Sequence, residues 1–156
     1  MAVSLPPFQQ LLDAHGGDVH RLLVASVGRL DADDCYQETW LAALRAYPRL
    51  TDASNLRGWL LTIAARKAID HVRRGRRRPI AVGELREPGA LDAPLPDGDL
   101  WGLVRELPAK QRTALALRFV LDADYAEIST VMGTSQEAAR RNVHEALKRL
   151  RTEYQP

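Results

Sequence analysis

Residues 56–79 read LRGWLLTIAARKAIDHVRRGRRRP, an apolar half followed by a basic half. Between Arg57 and Arg78 eight basic residues stand against Asp70 alone, a net of +7 in a chain whose formal charge is +2. Everything outside the stretch therefore sums to −5. As a helix starting near Asn55, Leu56, Trp59, Leu60 and Ile63 share one face, and the same face continues as Arg66, Lys67, Asp70, Arg73 and Arg74. A second stripe, Leu61, Ala65, Ala68, Ile69 and Val72, lies roughly opposite and can hold the basic half against a core. One or two Arg near a helix C-terminus need no more explanation than the helix dipole. A cluster of this size repels itself unless phosphates or acidic groups meet it, which points to nucleic acid.

Abundant Leu and Ala, few aromatics and few β-branched runs argue for an all-α protein. No apolar run is long enough to span a membrane, and no signal-peptide pattern follows Met1. The single cysteine, Cys35, excludes an intrachain disulfide and suits a reducing, cytoplasmic setting. It falls in a helical pattern as a small core or boundary residue. His15, His20, His71 and His144 show no metal-ligand spacing, and there is neither a glycine-rich phosphate loop nor a nucleophile motif. The chain therefore reads as a non-enzyme without metal or cofactor.

Working outward, Phe8–Gly28 reads as one or two core helices with a break or loosening at Gly16-Gly17. A second helix is expected from Asp31, with Asp31 as its N-cap, to Pro48. Tyr36, Trp40, Leu41, Leu44 and Tyr47 would form its apolar side, and Asp33, Asp34, Gln37, Glu38 and Arg45 its polar side. Those acids suit capping and solubility, or a docking face for a protein partner. Ser54 or Asn55 caps the basic helix and Pro79 stops it. Residues 80–99 hold three Pro, three Gly and five acids against Arg86, a flexible acidic linker and the expected domain boundary. The sequence thus divides into 1–79, a linker at 80–99, and 100–156.

The last segment breaks into short helices: Leu100–Leu107, then Ala109–Val120 after Pro108, then one opened by Asp124. Gly133 is a turn glycine and Ser135 caps a helix that is aliphatic inside and basic outside. That pattern is a helix-turn-helix. Ser135 lies at the start of its second helix. There Gln136, Glu137, Arg140, Arg141 and His144 are placed to meet bases or phosphates, with Lys148 further along the outer face. Two DNA-facing surfaces on two modules suggest recognition of a bipartite site.

Two pairs of stretches carry a family resemblance. DADDCYQETWLAALRAYPRL (31–50) with NLRGWLLTIAARKAIDHVRR (55–74) is similar to the second conserved region of extracytoplasmic-function sigma factors of bacterial RNA polymerase. LPAKQRTALALRFVLDADYAEISTVMG (107–133) with TSQEAARRNVHEALKRLR (134–151) resembles their fourth region. The resemblance implies a sigma factor that directs core polymerase, through its β′ and β subunits, to promoters and helps open them. Asp34, Gln37, Glu38 and Arg45 would dock on the polymerase clamp. Asn55, Arg57 and Trp59 would hold flipped bases of the −10 element, with Arg66, Lys67, Arg73, Arg74, Arg76 and Arg77 on the nearby backbone. The second module would read the −35 duplex. An anti-sigma protein is an expected partner. Where the family often has a basic residue this chain has Asn142 and Glu145, and Glu145 falls on the outer face, where it repels phosphates. Two other readings remain open at this stage. One is a free-standing helix-turn-helix regulator, the other an adaptor whose basic helix binds RNA or an acidic protein.

Overall fold

A computed structural model describes residues 3–77 and 98–154. Among these the chain forms seven α-helices and no strand. They are α1 (Phe8–Val27), α2 (Arg29–Ala46), α3 (Leu56–Arg77), α4 (Gly98–Glu106), α5 (Ala109–Phe119), α6 (Tyr125–Met132) and α7 (Gln136–Glu153), with a 3-10 turn at Tyr47–Arg49. Pro79 and nearly all of the expected linker lie outside the described residues.

Of the one or two helices expected over Phe8–Gly28 a single one forms, and α1 runs through Gly16-Gly17 without a break. Gly16 serves packing instead. A Cβ there would meet the Tyr36 hydroxyl at 2.9 Å, so its absence lets α2 lie close against α1. The chain turns at Gly28, whose φ of 86° is open to glycine and strained for other residues. Because the turn uses this one residue, α2 begins at Arg29 and Asp31 falls in its first turn rather than at the cap. A carboxylate there still suits the positive end of the helix.

Within α2, Tyr36 and Trp40 pack inward as expected, in an edge-on aromatic cluster. Trp40 lies 5.7 Å from Phe8 and 6.1 Å from Tyr36 between ring centroids. Leu41 and Leu44 do not join them: they are 53% and 51% exposed. The helical wheel puts them at the edge of the apolar side, and among the described residues no helix covers that edge. After the 3-10 turn, Asn55 rather than Ser54 caps α3. Its Oδ1 accepts from the Gly58 amide at 2.9 Å. A Cβ at Gly58 would run into the Asn55 side chain, so the cap and the glycine depend on each other.

The second half is built from local signals. Asp124 caps α6 by accepting from the Glu127 amide at 2.8 Å. Gly133 closes α6 in the left-handed region at φ 64°, and Ser135 caps α7 by accepting from the Ala138 amide at 3.0 Å. α6, the turn and α7 are the expected helix-turn-helix.

The two halves share one apolar core. Val19, Leu22, Leu23, Leu60, Leu61 and Ala64 from the first half pack into the same cluster as Leu117, Ile128, Val131 and Val143 from the second. Fully burying side chains of this kind contributes roughly 1.5–3 kcal/mol each. A smaller group, Val104, Leu107, Leu115 and Ala146, sits beneath α4. Arg112 ties the halves together by polar bonds. It is buried on α5, and its Nη1 donates to the Ser26 carbonyl at the end of α1 at 3.0 Å. Its Nη2 donates to the carbonyls of Leu107, at 3.1 Å, and Arg105. One guanidinium thus meets the partly negative C-terminal ends of two helices.

Candidate nucleic-acid and protein interfaces

Three surfaces carry the residues singled out in the sequence. On α7 the buried side is Ala139, Val143 and Ala146. Gln136, Glu137, Arg140, Arg141, His144 and Lys148 are all exposed, along the face a recognition helix turns to the major groove. Ser135 is exposed but its hydroxyl is engaged in capping α7. Glu145 is exposed among the basic residues, and Asn142 is half-buried to one side.

This surface extends further than the periodicity indicated. The Arg140 guanidinium lies 5.1 Å from the Tyr125 ring centroid, and Arg118, at the end of α5, lies 5.5 Å from the same ring. Tyr125 therefore holds two cations beside the start of α6, which Asp124 caps. Arg118 belongs to a helix that otherwise reads as core, so sequence spacing gave no reason to single it out.

On α3, Arg66, Arg73 and Arg74 are exposed and Lys67 is half-buried. Lys67, Asp70, Arg73 and Arg74 line a cleft together with Glu38 of α2. The backbone of Arg76 and Arg77 completes the last turn of the helix. Trp59 is half-buried, its ring 6.0 Å from Tyr47, so it belongs partly to the core edge. Asn55 is exposed but Arg57 is engaged. The Arg57 Nε lies 3.1 Å from Asp18 Oδ2 on α1, and its Nη1 lies 3.6 Å from Glu127 Oε2 on α6. Asp18 also pairs with Arg21.

Burial pushes the Asp18 carboxyl up, but hydrogen bonds and charge from Arg21 and Arg57 outweigh it and hold the group below its ordinary value. A carboxyl whose folded value is depressed adds stability above the ordinary carboxylate range and loses it as pH falls through the folded value. Asp18→Asn should therefore lower stability to urea at about pH 7. The difference from wild type should shrink only as pH falls below the ordinary carboxylate range and the wild-type carboxyl takes up its proton. A difference that stays constant with pH would remove the ionised pair as its cause.

The third surface is one stripe of α2. Asp34, Gln37, Glu38, Leu41 and Arg45 recur at helical spacing and are all exposed, with Leu44 beside them. The acids had two readings in the sequence. Two half-exposed leucines beside them make the stripe more than a solvated face, because apolar area is left uncovered between charges. Cys35, at the inward edge of α2 next to this stripe, is buried, and its thiol is pushed up to about 11 by burial and the nearby acids Glu38 and Asp31.

Both halves of the chain resemble known proteins. The Sigma-70 region 2 family model matches residues 11–78, and the Sigma-70 region 4 model matches residues 97–150. A probable RNA polymerase sigma-C factor of Mycobacterium bovis is 34% identical over 136 residues, covering 80% of this chain and 71% of that protein. The ECF RNA polymerase sigma factor SigD of Mycobacterium tuberculosis is 35% identical over 145 residues, covering 85% of this chain and 68% of that protein. Among solved structures, the sigma factor RpoE from Bartonella quintana, in complex with the anti-sigma factor NepR, superposes with a TM-score of 0.70 at 23% identity, covering 93% of this chain and 94% of that one. CnrH, in complex with the cytosolic domain of CnrY, has the same TM-score at 22% identity, covering 93% and 85%. With both regions present in order, and relatives matched over most of their length, the chain belongs to the extracytoplasmic-function family of sigma factors and gives RNA polymerase its choice of promoter.

Proposed function

We propose that this chain works as two promoter-reading modules, 1–79 and 100–156, docked on core polymerase through α2. The observation that carries the reading is the α2 stripe, where Leu41 and Leu44 stand about half exposed beside Asp34 and Glu38. An apolar strip framed by acids fits a basic, partly apolar partner surface, and the clamp helices of the β′ subunit are the partner implied by the family. The outer face of α7 would read the −35 duplex, with Arg118 and Arg140 on flanking phosphates. Glu145 would select against a phosphate close to its own turn. Asn55 and Trp59 would take flipped bases of the −10 element, with Arg57, Arg66, Lys67, Arg73, Arg74, Arg76 and Arg77 on the backbone. Unstacking costs a few kcal/mol, which stacking and cationic contacts can offset. The β subunit would hold the second module. The polymerase would perform the chemistry, in the cytoplasm, with this chain as a non-catalytic subunit. The solved structures of similar fold suggest that an anti-sigma protein restrains it. No described helix is long and apolar enough to cross a membrane.

The test is reconstitution. The purified chain with core polymerase should start transcription from a subset of promoters in a genomic library. With ~6–10 phosphate contacts, complex formation should lose orders of magnitude in affinity between about 50 and 200 mM salt. Absence of core binding together with absence of any start site would overturn the proposal.

A further inference from the structure

The outer face of α7 carries a pattern that a basic surface alone does not explain. Ala139, Val143 and Ala146 mark the inward direction of the helix. At 100° per residue Glu137, Arg141 and Lys148 then point straight out, Arg140 lies at one flank and Glu145 falls toward the other. Arg140 is on the flank turned to α6, where its guanidinium lies 5.1 Å from the Tyr125 ring centroid, with Arg118 5.5 Å from the same ring. The two acids stand one turn before and one turn after Arg141, so the outward cation sits between carboxylates, and all three residues are exposed. Glu137 lies in the first turn, where an acid suits the helix dipole. Glu145 lies two turns further on and has no such reason.

A surface made only to hold DNA by its backbone has no use for these acids. A carboxylate repels phosphate and weakens the pull of a neighbouring guanidinium on phosphate. The groups in the major groove that welcome a carboxylate are the exocyclic amines. The adenine amine stands between two acceptors, its own N7 and the O4 of thymine, whereas the cytosine N4 amine has an acceptor on one side only. A guanidinium discouraged from phosphate still finds the paired acceptors O6 and N7 of guanine.

We infer that Glu137 and Arg141 determine which duplex sequence α7 selects: Arg141 reads a guanine, Glu137 reads a cytosine, and Glu145 keeps Arg141 off the backbone. This rests on the reading that the outer face of α7 meets the −35 duplex. The two readers are four residues apart, about 6 Å along the helix axis, which matches one to two duplex steps of about 3.4 Å. The element therefore holds two G·C pairs one or two steps apart. Arg140 and Arg118, drawn aside onto Tyr125, grip phosphate and fix the register in which the centre of the face reads. Tyr125 is a positioning residue in this arrangement. The flank holds every sequence alike, and the centre tells sequences apart.

The test uses the full chain bound to core polymerase and a library of random-sequence duplexes, selected by binding and sequenced, with affinities of single duplexes then measured against salt. Wild type should enrich an upstream element with the two G·C pairs. Glu137→Gln keeps the shape of the side chain but presents an amide, which pairs with adenine N6 and N7. It should switch one of the two pairs to A·T and lower the preference for cytosine there about tenfold or more. Loss of folding does not create a new preference, so this switch separates reading from structure. Glu137→Ala should leave the same position open to any base, and Arg141→Ala should open the other one. Arg140→Ala should weaken all duplexes alike and lower the salt slope by about one. Tyr125→Leu should do the same, with Tyr125→Phe restoring the wild-type slope. Glu145→Ala should raise affinity for every duplex and narrow the ratio between the selected element and random sequence. Glu137 variants that keep the wild-type preference at every position, or an Arg140→Ala chain that changes the preference at one, overturn the inference and leave the −35 reading standing. A polymerase complex that initiates transcription but enriches no upstream element overturns the −35 reading, and the inference with it.

Discussion

Asp34→Lys with Glu38→Lys is expected to cut core-polymerase binding by about a hundredfold or more. Like charges brought face to face across an interface cost several kcal/mol, and each 1.4 kcal/mol is tenfold. The two carboxylates lie one turn apart on the α2 stripe, exposed and available to a partner. Glu38 also lines the cleft with Lys67, Arg73 and Arg74, so its reversal adds repulsion inside the protein as well. Leu41→Glu removes that ambiguity. Leu41 is 53% exposed, so the change should leave folding stability within about 0.5 kcal/mol of wild type. If the leucine sits in the interface, the buried unpaired carboxylate should still reduce binding severely. Titration of labelled core polymerase reads both variants, circular dichroism checks the fold, and duplex binding by α7 should not change. Full-strength core binding by Leu41→Glu would move the docking surface off α2.

Leu117→Ala should destabilise the chain by about 2–5 kcal/mol, the range for deleting a buried leucine side chain. Leu117 is 0% exposed and sits in the cluster that both halves share. Were the modules independent, the loss would stay in the second half, and denaturation followed by region 2 aromatics would be unaffected. With one core, the Trp40 and Trp59 environment should melt together with the α5–α7 helices, in one transition shifted to lower urea. Leu150→Ala, at the rim of the smaller cluster beneath α4, should cost clearly less, because the residue is only partly buried. Two separate transitions in wild type would show the shared core to be too weak to couple the halves.

The parts of the fold legible in sequence are those written in neighbouring residues. Asp124, Gly133 and Ser135 announce the ends of α6 and α7 because a cap or a left-handed turn needs a particular residue at one place. The basic face of α3 is equally visible because charge accumulates along one helix. Gly16-Gly17 misled for an instructive reason. A glycine inside a helix suggests a break, but Gly16 answers to the Tyr36 hydroxyl, twenty residues away. Asp31 looked like a cap because its side chain suits one, whereas Gly28 sets the turn through backbone geometry. Leu41 and Leu44 departed from the apolar pattern where a partner surface is proposed, as expected of residues whose burial belongs to a complex. The contacts of Arg57 with Asp18 and Glu127, and of Arg112 with Ser26, join residues tens of positions apart and leave no periodic trace. Arg112, a cation set among the apolar positions of α5, was the available hint that something polar lay across from it.

One consequence follows from Cys35. With burial pushing its thiol up to about 11, very little of it is thiolate at neutral pH. The buried sulfur is thus nearly silent toward peroxide and alkylating agents. An oxidant alarm would have to reach this protein as a change in what it touches rather than as a scar on its own thiol, and cysteines placed elsewhere by design can be modified with the native one left alone.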